Sequence, residues 1–294
     1  MSSLRWQHHP NLRKPVLVAG FTGWNDAGDA ASDAVAWLSG QFGVDRFATI
    51  DPEEHMDFQA VRPTVELTGG LTRDIRWPTV RFDASATRGR ASHDLILLSG
   101  PEPSMRWREF CEGVLAVAHD SGTVMVVTLG ALLADTPHTR IPRVTGSTTD
   151  PDLTAKLGLR RSRYEGPTGI VGVLHDACRS ADIPSVSLWA PVPHYVSTPP
   201  NPPGTFALLE RLGTLMALPL DLEELRVAAS AWQTRIDSAV DSDDDLRDYV
   251  RTLESQLDSL EDETEEPEPH PEDLPSGDAI AEAFEQYLRE QGLE

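Results

Sequence analysis

The sequence predicts an α/β fold with three layers, α/β/α, built around a mostly parallel central sheet and followed by a C-terminal helical extension. Three observations carry this reading. Short β-branched runs alternate with stretches of three- and four-residue apolar spacing through residues 1–220, which is the pattern of strands joined by crossover helices. The best runs are apolar throughout, as strands covered on both faces must be. The formal charge of −22 is also unevenly spread: residues 1–220 hold 23 acids and 20 bases, whereas residues 221–294 hold 24 acids and 5 bases. A near-neutral body therefore carries an acidic extension.

In chain order, Pro15–Gly20 (PVLVAG) is a buried strand. A helix follows from about Asp29 to Gly40, with Ala30, Ala34, Trp37 and Leu38 on one face. Arg46–Ile50, Thr64–Thr68 and Ile75–Phe82 are further strands. His93–Ser99 (HDLILLS) and Thr123–Leu129 (TVMVVTL) read as central parallel strands, joined by a crossover helix from about Met105 to His119. A helix from Gly169 to Ala181, a strand Ser185–Ala190 and a helix Gly204–Leu218 complete the body.

Beyond residue 220, Leu222, Leu225, Ala229, Trp232 and Ile236 form one stripe, and Leu246, Val250, Leu253, Leu257 and Leu260 a second. Each spans about two heptads, too short for a free coiled coil, so residues 221–261 are expected to form a helical hairpin packed on the body or on a neighbouring subunit. Residues 262–277 are an acidic, proline-rich linker by composition, and 278–294 an amphipathic helix with Ile280, Phe284, Tyr287 and Leu288 on one face.

Composition excludes several function classes. The two cysteines, Cys111 and Cys178, cannot make a disulfide scaffold or a four-cysteine zinc site. No apolar run approaches the roughly 18 residues of a membrane span. A soluble, cytoplasmic protein is expected, with no membrane and no nucleic-acid partner, because acidic surfaces do not displace phosphate counterions. Only Lys14 and Lys156 are available for lysine chemistry.

The loop after the first strand, Gly20-Phe21-Thr22-Gly23-Trp24-Asn25-Asp26-Ala27-Gly28, stands where open α/β sheets bind ligands. It is neither a dinucleotide fingerprint nor a phosphate loop. Gly20, Gly23, Trp24, Asn25 and Asp26, together with Thr168 of the loop Tyr164–Gly169, are the expected ligand-binding residues. Capping of the next helix by Asp26 or Asp29 is the competing role. The segments Ser99–Ser104, Gly130–Arg143 and Pro191–Ser197 should reach the same sheet edge, which makes Glu102, Glu165 and His194 the candidate acid–base residues. Asp241, Asp243 and Asp245 start like a calcium loop, but Leu246 and Thr252 occupy its glycine and glutamate positions, so a helix start is expected. His175 and Cys178 share a helix face without further ligands, and no metal site is expected. Arg160, Arg161 and Arg163 form the one basic cluster, a solvated face or a dock for the acidic extension.

Six ordered blocks resemble one family: PVLVAGFTGWNDAGDAASDAVAWL, ATIDPEEHMDFQAVRPTVEL, LLSGPEPSMRW, TLGALLADTPHTR, SRYEGPTGIVGVL and SLWAPVPHYV. Together they resemble the PAC2 family, the proteasome assembly chaperone 2-like proteins, in its actinobacterial form, over about residues 12–260. The resemblance implies a fold similar to nucleoside phosphorylases and hydrolases, homo-oligomerisation with a trimer preferred, and a non-enzymatic assembly-chaperone-like or scaffold role without a cofactor. A protein partner for the acidic C-terminal helices is the matching expectation. The alternative it implies is a small-molecule enzyme or binder for a nucleoside, nucleotide or similar anion, with Arg106, Arg108 or Arg140 meeting phosphate. An ATP-dependent carboxylate–amine ligase is the remaining alternative. The tail Gln291-Gly292-Leu293-Glu294 differs from the hydrophobic–tyrosine–any ending of related chaperones. Gln286-Tyr287-Leu288 resembles the Gly-Gln-Tyr-Leu ending of bacterial activators, but six residues follow it and Glu285 replaces the glycine, so docking by the chain end is not expected.

Overall fold

A computed structural model describes residues 3–68, 72–87, 91–148 and 165–264. Eight strands form the main sheet: β1 (Leu4–Trp6), β2 (Val16–Thr22), β3 (Asp45–Ile50), β6 (Val80–Ser85), β7 (Leu95–Pro101), β8 (Met125–Ala134), β9 (Thr145–Thr148) and β10 (Ser185–Pro193). Their order is β1-β3-β6-β7-β2-β8-β10-β9, and β4 (Thr64–Thr68) with β5 (Thr72–Arg76) makes a separate two-stranded ribbon. The four central strands β7, β2, β8 and β10 are parallel, with Val16 opposite both Leu95 and Met125, and Ser185 opposite Val126. Antiparallel strands close both sides: β6, β3 and β1 beyond β7, and β9 beyond β10.

The period of two along β2 sorts its side chains onto opposite faces. Leu17, Ala19 and Phe21 pack with Phe110, Val114 and Val117 of α2 (Trp107–Asp120) and with Ile170, Val171 and Leu174 of α3 (Ile170–Ser180). Val16 and Val18 pack on the other face, with Ala31, Ala34, Val35 and Leu38 of α1 (Ala30–Phe42) and with Leu208, Leu209 and Leu212 of α4 (Pro202–Met216). This is the expected three-layer arrangement. Gly20 sets the distance between β2 and α1, because a Cβ there would stand 2.8 Å from Val35 Cγ2 and 2.9 Å from the Ala31 carbonyl.

Five strands differ from the sequence reading. The single run expected over Ile75–Phe82 is two strands, β5 and β6, parted at Pro78, whose ring removes a donor and restricts Trp77 before it. β1 and β9 were not expected; they are short edge strands of three and four residues with little apolar patterning. β10 runs on through Pro191 and Pro193, past Trp189, the last residue paired with β9, so those prolines lie where only β8 pairs.

The extension forms α5 (Glu223–Asp241) and α6 (Asp244–Thr264). Asp243 Oδ1 accepts from the amides of Asp245 and Leu246, both at 3.1 Å, so the acidic turn starts a helix as expected. Trp232 and Val240 of α5 and Val250 and Leu253 of α6 are buried, which seats both apolar stripes. Residues 149–164, including Arg160, Arg161 and Arg163, and residues 265–294, including most of the linker and the whole terminal amphipathic segment, lie outside the described residues. No described helix is long and apolar enough to cross a membrane.

Candidate functional site

The C-terminal edge of the parallel strands opens into a cavity of about 790 Å³. Gly23, Trp24, Asp26 and Asp29 from the loop after β2, Leu132 and Leu133 of β8, Ser187 and Trp189 of β10, and Thr168 and His175 at α3 all line it. Its place is the one that strand polarity predicts for an open α/β sheet.

Asp26 belongs both to the fold and to the cavity. It is 5% exposed, and its Oδ1 accepts from the amides of Ala31 (2.8 Å) and Ser32 (3.1 Å), which makes it the cap of α1. Oδ2 is buried and has no hydrogen-bond partner. Burial pushes the Asp26 carboxyl above its ordinary value, partly opposed by the nearby Ser32 hydroxyl and by the Ser32 and Ala31 amides, and Asp29 adds to the rise. The chain direction here is fixed by a parallel bridge from Asp26 to Ala131, in which the Ala131 amide donates to the Asn25 carbonyl at 2.8 Å. Gly28 permits the turn with φ of +61°, and a Cβ there would meet Asn201 at 2.7 Å.

Glu102 is drawn into the structure from the next loop. Its Oε1 accepts from Asn25 Nδ2 at 2.7 Å and from the Ile170 amide at 2.8 Å. One carboxylate thus ties the β2 loop to the N-terminus of α3, where negative charge is favoured by the helix dipole. Asn25 is 1% exposed; it packs so closely on Gly169 that any side chain there would collide with it, and its Oδ1 lacks a partner.

The sequence-derived site residues therefore divide. Gly23, Trp24, Asp26 and Thr168 line the cavity, whereas Gly20 and Asn25 serve packing beneath it. Glu102 reaches the loop but is engaged with two donors. Glu165 is exposed and is not among the lining residues. His194 points elsewhere: its Nδ1 lies 3.1 Å from Asp135 Oδ1, and its Nε2 lies 3.5 Å from the Tyr249 hydroxyl of α6. Each acid–base candidate thus has its own surroundings: the Asn25 and Ile170 donors for Glu102, solvent for Glu165, and Asp135 with Tyr249 for His194. Arg106 pairs with Glu54 and Glu109, and Arg140 with Glu254 and Asp258, so two of the three expected phosphate contacts, all but Arg108, are committed to carboxylates. Burial drives Cys111 and Cys178 up to about 12, which leaves both thiols protonated.

Sequence reasoning missed Trp189, Ser187 and the Thr145–Ser147 wall. One signal was available: Gly130 inside an apolar strand marks a close approach. A Cβ there would stand 2.6 Å from the Trp189 ring, whose Nε1 donates to Ser187 Oγ at 2.9 Å. The His175 ring pairs through Nδ1 with Ser185 Oγ at 3.0 Å, and burial holds its pKa below the ordinary value, keeping it neutral near pH 7.

A second polar cluster locks the extension onto the body. His138, with a side chain 1% exposed, lies 2.7 Å from the Tyr195 hydroxyl through Nδ1 and 3.0 Å from Asp237 Oδ1 through Nε2. The His138 amide also donates to the Tyr195 oxygen at 2.8 Å. A proton on Nε2 satisfies all three bonds, with Tyr195 donating to Nδ1. Burial pushes Tyr195 up to about 12, so it keeps its proton. Thr139 donates to Glu254, and His194, Tyr195 and Tyr249 meet edge to face.

The PAC2 family model matches residues 20–240. A crystal structure of a PAC2 family protein from Streptomyces avermitilis shares 54% identity with a TM-score of 0.76, covering 80% of this chain and 99% of that one. A Mycobacterium tuberculosis structure described as a proteasome-assembly chaperone homologue shares 46% identity with a TM-score of 0.74, again over 80% and 99%. The Pyrococcus furiosus PbaB structure, described as an archaeal proteasome activator, shares only the fold, at 16% identity and a TM-score of 0.66 over 81% and 99%. No curated protein matches. With the family model spanning most of the chain, and relatives this similar, the chain belongs to the PAC2 family.

Proposed function

We propose that this chain is a non-enzymatic, chaperone-like member of the PAC2 family that acts in the cytoplasm by binding protein subunits, with its acidic helices as the contact surface. The observation that carries this reading is the seating of α5 and α6. The pair is fixed to the body through Asp237 and Glu254, while Glu224, Asp241, Asp244, Asp245, Asp248 and Asp258 are exposed. Residues 221–264 hold 14 acids and 4 bases, so the body presents a positioned surface suited to a basic partner. The description of the Mycobacterium relative as a proteasome-assembly chaperone homologue points to proteasome subunits as that partner, and the α-subunits are the ones to test first. The chemistry at the sheet edge supports the same reading, since Glu102 and Asp26 cap helices while Glu165 and His194 stand apart.

Self-association, with a trimer as the preferred state, accompanies this role. The ribbon β4–β5 exposes Val65, Leu67 and Ile75, and Val65 stands opposite Ile75 in its register. A two-stranded ribbon is marginal in water without cover, and contiguous exposed apolar side chains mark contact surfaces. The test of the partner surface is binding of purified cognate proteasome α-subunits by biolayer interferometry, with wild type compared against Asp244→Asn/Asp245→Asn/Asp248→Asn. Binding should weaken at least about tenfold in the variant and fall with added salt. Equal binding by both proteins rejects the acidic surface.

A further inference from the structure

We propose that the cavity at the sheet edge is a small-molecule site for an uncharged, ring-bearing ligand that offers an O–H or N–H donor to Asp26 Oδ2 and lays its ring against Trp24. This goes beyond partner binding, since the cavity and the acidic helices share no residue. The first observation is the orphan acceptor. Asp26 is 5% exposed, and its Oδ1 is engaged by two amides while Oδ2 has no donor. A buried acceptor without a partner is costly to keep. The cavity that Asp26 lines, about 790 Å³, is of the size that holds small organic ligands.

The second observation is the wall chemistry. Trp24 is 68% exposed at the rim, an uncommon position for a large apolar ring, and Trp189, Leu132 and Leu133 extend the apolar surface. Hydroxyls of Thr145, Ser147, Thr168 and Ser197 stand among them. Such a mixture suits a flat ring edged with hydrogen-bonding groups.

The third observation sets the ligand's charge. Among the described lining residues there are two carboxylates, Asp26 and Asp29, and no lysine or arginine. His175 is held neutral by burial. Against the described lining residues alone, a phosphate or carboxylate would meet repulsion without a counter-charge. A cation is not favoured at Asp26 either, because the α1 amides and the partial positive charge of the helix N-terminus already offset this carboxylate. What remains is a neutral donor.

The test uses the full chain with adenosine and phenyl β-D-glucopyranoside as uncharged ring-bearing probes, and AMP and inorganic phosphate as anionic controls. Binding is read by tryptophan fluorescence and isothermal titration at up to about 5 mM. The expected result is saturable binding of at least one uncharged probe, with AMP at least about tenfold weaker than adenosine if adenosine binds. Asp26→Asn keeps an oxygen for the Ala31 and Ser32 amides but turns a donor towards the ligand, and it should weaken binding at least about tenfold. Trp24→Ala, at an exposed position that the fold does not need, should weaken it several-fold, and it carries the test should Asp26→Asn fail to fold. Three outcomes overturn the proposal: neither uncharged probe binds wild type, phosphate or AMP binds as tightly, or both variants bind like wild type.

Discussion

Removing the Glu102 carboxylate separates its structural role from catalysis. Its Oε1 holds two donors, the Asn25 amide group at 2.7 Å and the Ile170 backbone N–H at 2.8 Å. Glu102→Ala leaves both without an acceptor. A buried donor stripped of its partner costs about 1–3 kcal/mol, and Ile170 and Asn25 are both inaccessible, so a loss of about 3 kcal/mol follows. For a protein of this size each kcal/mol lowers Tm by about 2–4 °C, which gives a drop of about 6–12 °C. Glu102→Gln keeps an acceptor and loses only the favourable charge at the α3 N-terminus, about 1 kcal/mol or about 2–4 °C. Differential scanning calorimetry at neutral pH distinguishes the two. Equal melting of wild type and Glu102→Ala would refute the reasoning, for Glu102 would then be free to act as an acid or base.

Three further expectations rest on separate parts of the structure. Gly130→Ala pushes a methyl into the Trp189 ring; it should cost about 1–3 kcal/mol and change tryptophan fluorescence, whereas an unchanged spectrum and stability would contradict the packing. Burial opposes ionisation of Asp94, but the amides of Arg13 (2.7 Å) and Thr87 (2.9 Å), the Thr87 hydroxyl and the Arg13 guanidinium outweigh it and hold its pKa below 3.8. Its contribution is therefore complete above that value and lost as pH falls through the lower folded value, so the wild-type advantage over Asp94→Asn in urea melts should shrink in acid; a gap that grows there reverses the sign. If the proposed self-association runs through β4–β5, Leu67→Asp with Ile75→Asp should shift sedimentation to the monomer without unfolding it, and unchanged sedimentation of an assembled protein would move the interface away from that ribbon.

The parallel centre was legible because PVLVAG, HDLILLS and TVMVVTL leave little but a twice-covered strand. The edges were not: Thr145–Thr148 is polar, and Leu4–Trp6 is held by pairing with β3 rather than by its own pattern. Trp77-Pro78 contained the break between β5 and β6, hidden by apolar residues on either side. At the site, Trp24 and Asp26 could be read because strand, loop and helix are contiguous there. Glu102 to Ile170 spans 68 positions and His138 to Asp237 spans 99, and no periodicity in one sequence reports such pairs. His194 follows the C-terminal end of β10, as expected, yet α6 claims it through Tyr249.

The proposed role stands or falls on the acidic helices forming a positioned surface for subunit binding. Native mass spectrometry of the full chain mixed with purified cognate proteasome α-subunits measures it directly. A defined complex is expected, and it should be lost when Asp244, Asp245 and Asp248 become asparagine. A spectrum holding only the separate proteins, or a complex indifferent to those charges, would contradict it.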